Sequence, residues 1–348
     1  MHMSDLRTVL NPKNADGPLR VVSIGGGTGL STLLHGLKQY VRGRGVRNWP
    51  LDIAAIVTVT DDGGSSGRLR REFDVLPPGD IRNCLVALSE DEGLLSRLFQ
   101  YRFETGRGLK GHSFGNLFLT ALTRITGDFP EAVKESSDVL AIKGNIYPAT
   151  GDNVALEAIL ENGRRVLGET KISKSRRRIV SVHLRPRRCR PLPDTLAAIA
   201  RADVITLGPG SLFTSVIPNL LVSGIAKAIQ RSPAVKAYFV NLMWQPGETT
   251  NFTASDHIRA IHRHAGCKLL DYAILNTREI RSALLRRYAR QESAPVKNDF
   301  KEIGALGVNV VCGDYVRESG LVRHNSDAIA AIAIELALEG RKRRKMSR

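Results

Sequence analysis

Acidic residues are in short supply: 34 Asp and Glu stand against 51 Lys and Arg, a formal charge of +17. Much of the excess is local. Residues 174–190 read KSRRRIVSVHLRPRRCR, and the chain ends in RKRRKMSR. Such an excess attracts polyanions. Aromatic residues make up only 5% of the chain, however, so a stacking platform for single strands is poorly supplied. The basic stretches therefore read as solvated faces, and nucleic acid is not the expected partner. Cysteine is also scarce. Cys84, Cys189, Cys267 and Cys312 are scattered with no CxxC pair, which argues against a zinc site and for reduced thiols. No apolar run approaches the roughly 20 residues of a membrane helix. The opening MHMSDLRTVLNPKNADG has no apolar signal core. A cytoplasmic protein without a membrane span is expected.

Glycine, in contrast, is concentrated where it matters. The apolar run Leu19–Ile24 ends on Gly25, Gly26, Gly27, Thr28 and Gly29, and leucines at 30, 33, 34 and 37 follow at helical spacing. This reads as strand, tight turn and helix start. Glycine lets a ligand approach the backbone, and the helix start offers unpaired N–H groups and a positive dipole end. An anion, typically phosphate, fits there. The pattern departs from the dinucleotide fingerprint, since Leu30 stands where the third small residue belongs. It lacks the Gly-Lys-Ser/Thr of a Walker loop. Ala202–Gly210 repeats the device: a buried strand, then Gly208-Pro209-Gly210-Ser211, then a helix. Each turn taken alone could be a plain βα connection; together they suit a ligand with a diphosphate, or two phosphorylated ligands.

Between them lies a second apolar strand, Leu51–Thr60, that runs into Asp61-Asp62-Gly63-Gly64-Ser65-Ser66-Gly67-Arg68. Ligands of open parallel sheets sit outside the carboxyl ends of strands. Asp61 and Asp62 there could hold Mg²⁺, accept hydrogen bonds from a sugar, or merely cap a turn. After Pro77-Pro78-Gly79, Asp80 reads as a helix N-cap with Asn83 in the first turn. Gly111-His112-Ser113 and Asn116 open a further helix. His112, at a helix start, reads as a surface residue rather than a base. Residues 145–193 change character: short alternating runs, one pair joined by Glu161-Asn162-Gly163, predict an arginine-rich antiparallel insertion. His257, His262 and His264 cannot share one helix face, so they are not read as a metal site. Val308–Cys312 reads as the last strand. Arg323 precedes a final helix, where a guanidinium could grip phosphate.

The predicted fold is α/β and Rossmann-like, a mostly parallel sheet flanked by helices with a small antiparallel insertion. It spans 19–340, with flexible tails at 1–18 and 341–348. The basic loop at 41–50 has no predicted role.

With IGGGTGLS, IVTVTDDGGSSGRLR, LPPGDIRNCLVALSE, GHSFGNLFL, ADVITLGPGSLFTSVIPNLL, GETTNFTASDH and LVRHN in place, the chain resembles the gluconeogenesis factor family (YvcK-like). That family is related to the phospholactate transferase CofD. The resemblance implies a cytosolic protein that binds UDP-sugars such as UDP-N-acetylglucosamine. It implies a role linking carbon metabolism during gluconeogenic growth with cell shape and wall synthesis. It carries the family's nucleotide-sugar tyrosine and arginine onto Tyr288 and Arg323. Phe252 stands where relatives often have tyrosine. The expected ligand set is Gly26, Gly27, Thr28, Gly29, Ser65, Ser66, Asn83, Asn116, Gly208, Gly210, Ser211, Tyr288 and Arg323. The alternative is a 2-phospho-L-lactate transferase-like enzyme. It would move a phospholactyl-type group from an activated nucleotide to an acceptor hydroxyl, with Asp61 and Asp62 catalytic and Asp62 holding Mg²⁺. The transferase branch lacks the Gly-Gly-Ser-Ser-Gly continuation, so its fold carries over better than its reaction. Self-association stays open.

Overall fold

Leu19–Gly25 (β1) and Leu51–Val57 (β2) are apolar along nearly their whole length, and a strand of that kind must be covered on both faces. Both are interior strands, each with a neighbour on either side, in the computed structural model of this chain, which describes residues 17–41, 51–90 and 93–346. The loop at 42–50, residues 1–16 of the N-terminal tail and the last two residues lie outside the described residues.

Asn145–Pro148 (β3) pairs with β2 at one edge of the main sheet. Ala155–Leu160 (β4), Arg165–Leu167 (β5) and Ile179–Arg185 (β6) form a separate antiparallel sheet in the order β5-β4-β6. The insertion is thus narrower than the 145–193 expected from sequence, because β3 belongs to the main sheet. The Glu161-Asn162-Gly163 turn joins β4 to β5 as expected, and β4 alternates half-buried and buried residues along its length.

Val204–Leu207 (β7) then returns to the other side of β1, and Val235–Phe239 (β8), Tyr272–Asn276 (β9) and Asn309–Gly313 (β10) extend the sheet outward. The order is β10-β9-β8-β7-β1-β2-β3, with every pair parallel. The chain builds one half outward from β1 and the other half outward from β7. The strand order therefore reverses between these neighbours, which opens a crevice at their carboxyl ends. β10 is not the last strand. Val316–Glu318 (β11) and Val322–His324 (β12) form a two-stranded hairpin apart from the main sheet. Three-residue strands are too short to show a period in sequence.

Two helices carry the core beside β1. Gly27–Val41 buries Leu30, Leu33, Leu34 and Leu37, each worth roughly 1.5–3 kcal/mol of transfer free energy. Ser326–Met346 lies against it so closely that a Cβ on Gly36 would stand 2.1 Å from the Ser326 carbonyl oxygen. That last helix also corrects the expected C-terminal tail. It continues through 341–346, where Arg341 pairs with the buried carboxylate of Asp203 at 2.8 Å and Arg344 with the same group at 3.5 Å. No single helix among the described residues is long and apolar enough to cross a membrane.

Candidate functional site

The first glycine turn follows directly from β1. Gly27 has φ +62°, a conformation glycine adopts without strain, and it starts the helix Gly27–Val41. The second turn follows β7, with Gly208 at φ +74° and its N–H bonded to the Ile24 carbonyl at 2.8 Å. The two turns touch. A Cβ on Gly29 would meet the Pro209 carbonyl oxygen at 2.5 Å and Gly210 Cα at 2.8 Å. No side chain can stand there, so glycine sets the distance between the turns.

Together the turns wall a cleft of about 590 Å³. Gly26, Gly27, Thr28 and Gly29 line it from one side, Gly210 and Ser211 from the other. Asp61, Asp80 and Glu169 contribute carboxylates, Trp244 and Tyr288 contribute aromatic rings, and Arg323 and His324 come from β12. Tyr288, on the helix Ser282–Ala289, does more than line the wall. Its hydroxyl accepts a hydrogen bond from the Val322 N–H at 3.0 Å and so pins the strand that bears Arg323. Arg287 on the same helix donates to the Gly320 carbonyl at 2.8 Å, holding the hairpin's turn.

The helix starts are not bare. Asp80, expected as an N-cap, lies at the second position of the helix Gly79–Leu88 and accepts the Gly27 N–H instead. Its carboxylate stands 2.5 Å from where a Gly26 Cβ would be. At the second turn Glu248 accepts from the Phe213 N–H at 2.8 Å and the Thr214 N–H at 3.2 Å, capping a π-helical turn, Leu212–Val216. Glu248 is buried and Asp80 half-buried at the cleft wall, and desolvation pushes each pKa up to about 7 against the opposing pull of those N–H groups. Burial also raises Asp61, and raises Glu169 well above the ordinary range, with neighbouring carboxylates adding to it.

The aspartate pair divides. Asp61 lines the cleft and accepts the Gly63 N–H at 2.8 Å. Asp62 turns away, its Oδ1 taking the Thr170 N–H at 2.8 Å and hydroxyl at 2.7 Å, and it is not among the cleft-lining residues. Ser65, Ser66 and Asn116 lie behind Asp61 rather than in the cleft. Ser65 meets His112 Nδ1 at 3.0 Å, and Asn116 donates to Ser66 at 3.5 Å. His112 is buried, not on the surface as expected. Asn83 accepts from Arg82 and lines a neighbouring cleft. Gly208 sits beneath its turn. Sequence reasoning missed Trp244, Glu169 and the cleft-facing position of Asp80. Asp80 had a signal, since an acid just after Pro-Pro-Gly suits a loop facing a strand end; Glu169 and Trp244 had none.

The family model for 2-phospho-L-lactate transferase CofD matches residues 21–316. Gluconeogenesis factors are close in sequence. That of Bacillus subtilis is 46% identical over 92% of this chain and 98% of its own. That of Halalkalibacterium halodurans is 48% identical over 94% and 98%. This chain belongs to the gluconeogenesis factor family. A Bacillus halodurans protein of known crystal structure superposes with a TM-score of 0.87, at 46% identity, over 92% of this chain and 100% of that one. The span matched by that family model takes in both glycine turns, the Asp61 loop, the helix of Tyr288 and the final strand of the main sheet.

Proposed function

We propose that this chain is a regulatory protein that binds a nucleotide sugar of the UDP-N-acetylglucosamine type in the cleft between the two glycine turns. The role that goes with it is to couple carbon metabolism to cell shape and wall synthesis. One observation carries the reading: the turns meet at the strand-order reversal, with Tyr288 and Arg323 in the same cleft. Trp244 and Tyr288 offer faces for a base or sugar, and Arg323 a bidentate partner for phosphate.

The carboxylates refine this. A diphosphate beside Asp61, Asp80 and Glu169 meets like charge unless protons or a cation intervene. Asp61 and Asp80 are hard oxygen donors in one cleft, which suits Mg²⁺. No group of three or more His, Cys, Asp or Glu side chains able to hold a metal exists among the described residues. Mg²⁺ here would complete its shell with water and ligand phosphates, as it commonly does. Bound so, it would neutralise phosphate charge. Asp61 takes over the role that sequence gave to Asp62.

Calorimetry with UDP-N-acetylglucosamine and Mg²⁺ tests the proposal. Arg323→Ala should weaken binding about tenfold or more, and Tyr288→Phe, which frees the Val322 N–H, should weaken it less. Absence of binding to the wild-type chain, or wild-type affinity in Arg323→Ala, would sink it. The transferase alternative is favoured by the same Asp61–Asp80 pair. Its signature is product from an activated phospholactyl nucleotide and a hydroxyl acceptor, lost in Asp61→Asn.

A further inference from the structure

The antiparallel insertion reaches the cleft at one point. Its helix Glu169–Lys174 starts after Gly168, which sits in the left-handed region at φ +99°. Two contacts pin this segment. At its start Asp62 accepts the Thr170 N–H at 2.8 Å and the Thr170 hydroxyl at 2.7 Å, and a Cβ on Gly168 would collide with Asp62 Oδ2. Beyond its end a Cβ on Gly247 would lie 2.6 Å from Arg176 Cα. Residues 168–176 therefore bridge the loop after β2 and the loop after β8. Of these residues Glu169 lines the cleft. It is half-buried, and among the described residues its carboxyl group makes no hydrogen bond or ion pair.

The strand order says which part of a ligand lies there. Trp244 follows β8 and Tyr288 follows β9, the glycine turns follow β7 and β1, and Asp61 and Asp80 follow β2. Across the strand ends the cleft thus runs from aromatic rings, through phosphate-friendly turns, to carboxyl groups. Strands lie about 4.8 Å apart, so β8 and β2 stand roughly 14 Å apart. That is room for a diphosphate with a ring at each end. The base belongs with Trp244 and Tyr288, where it can stack. The sugar then falls at the β2 end, beside Asp61 and Glu169. A carboxyl group serves sugar hydroxyls in either protonation state, accepting as carboxylate and donating as acid.

We propose that Glu169 selects the sugar of the bound nucleotide by hydrogen-bonding its ring hydroxyls, and that Asp62 is the positioning residue that holds Glu169 there. This assignment rests on the nucleotide-sugar reading. It gives the second aspartate of the Asp61-Asp62 pair a task outside the cleft: it fastens the insertion, and the insertion carries the selecting side chain.

Calorimetry on the full chain with UDP and with UDP-N-acetylglucosamine, both with Mg²⁺, tests it. The wild-type chain should prefer the nucleotide sugar about tenfold or more. Glu169→Ala should erase that preference by weakening UDP-N-acetylglucosamine alone, since UDP has no sugar ring for the side chain to hold. Glu169→Gln, nearly isosteric, keeps one acceptor and should reduce the preference several-fold. Asp62→Ala should also lose the preference and speed amide hydrogen exchange across 168–174. Asp62→Asn, which still accepts from Thr170, should restore both. If the wild-type chain binds neither ligand, the nucleotide-sugar reading fails and takes this assignment with it. If it binds both without preference, or if the preference survives in both Glu169 variants, the reading stands and this assignment is overturned. Loss of UDP along with the nucleotide sugar in both Glu169 variants would likewise overturn it, and an intact preference in Asp62→Ala would overturn the positioning role.

Discussion

Asp80 and Glu248 hold the N–H groups that two helix starts would otherwise turn toward a ligand. Each has a pKa of about 7, raised by burial, so each is poised near neutrality. For Asp80 this gives a two-sided expectation. Without divalent cation, affinity for UDP-N-acetylglucosamine should fall about tenfold as pH rises through 7, because the newly ionised carboxylate faces the diphosphate. With Mg²⁺ the trend should reverse, since the ion binds the carboxylate form. Calorimetry below and above pH 7, with Mg²⁺ and with chelator, checks it. Asp61→Asn should erase the Mg²⁺ dependence, and Asp62→Asn, whose amide oxygen still accepts from Thr170, should keep it. Glu248 speaks to stability instead. Its raised pKa means the folded chain keeps a proton that the unfolded chain has released. That contribution is whole below the ordinary value of 4.5 and is lost as pH climbs through about 7. Glu248→Gln keeps an acceptor for the Phe213 and Thr214 N–H groups and has no such loss. Relative to wild type it should gain about 2–3 kcal/mol between acid and mildly alkaline pH in urea unfolding. A constant difference across that range would mean that Glu248 carries no proton there.

At the scale of elements, the meeting of the two glycine turns decides the cleft. The atoms nearest a Cβ on Gly29 are backbone atoms of Pro209 and Gly210, and backbone cannot swing aside as a flexible side chain can. Gly29→Ala must therefore part the turns after β1 and β7. We expect at least tenfold weaker UDP-N-acetylglucosamine binding and a loss of about 1–3 kcal/mol in stability. Thermal unfolding and calorimetry on the same sample read both. Each turn was legible in sequence as an apolar run ending in glycine. Their contact was not, because 178 residues or more separate them and only the pairing of β1 with β7 brings them together. The same holds for the Asp61-Asp62 pair. Adjacent residues in extended chain point opposite ways, and the sequence offers no reason to prefer one. The neighbour Thr170, in the insertion, decides that Asp62 turns outward. The hairpin of Arg323 was invisible for a different reason. Its strands are three residues long, and the contacts of Arg281, Arg287 and Tyr288 hold it rather than any pattern of its own.

For the whole molecule, the formal charge of +17 looked like a property of surfaces and tails. Part of it is internal. Arg341 closes the C-terminal helix onto Asp203, which is buried and also accepts the Arg20 N–H at 2.9 Å, beside the start of β1. Arg341→Ala would leave that carboxylate short of a partner in low dielectric. We expect about 3 kcal/mol of destabilisation in chemical denaturation. Deleting 341–348 should cost at least as much. Loss of nucleic-acid binding with unchanged stability would instead argue that these arginines serve a solvated polyanion surface.

Sequence by itself determined the α/β class, most strands of the main sheet and the two glycine turns. Apolar runs covered on both faces, helical leucine spacing and glycine at strand ends follow from local chemistry, and local chemistry is written along the chain. Only tertiary structure decided that β7 lies beside β1 and which aspartate faces inward. It also decided that carboxylates sit at the helix starts and that the insertion brings Glu169 to the cleft. Those outcomes depend on what distant segments bury against one another, and burial is a property of the folded neighbourhood rather than of any residue alone.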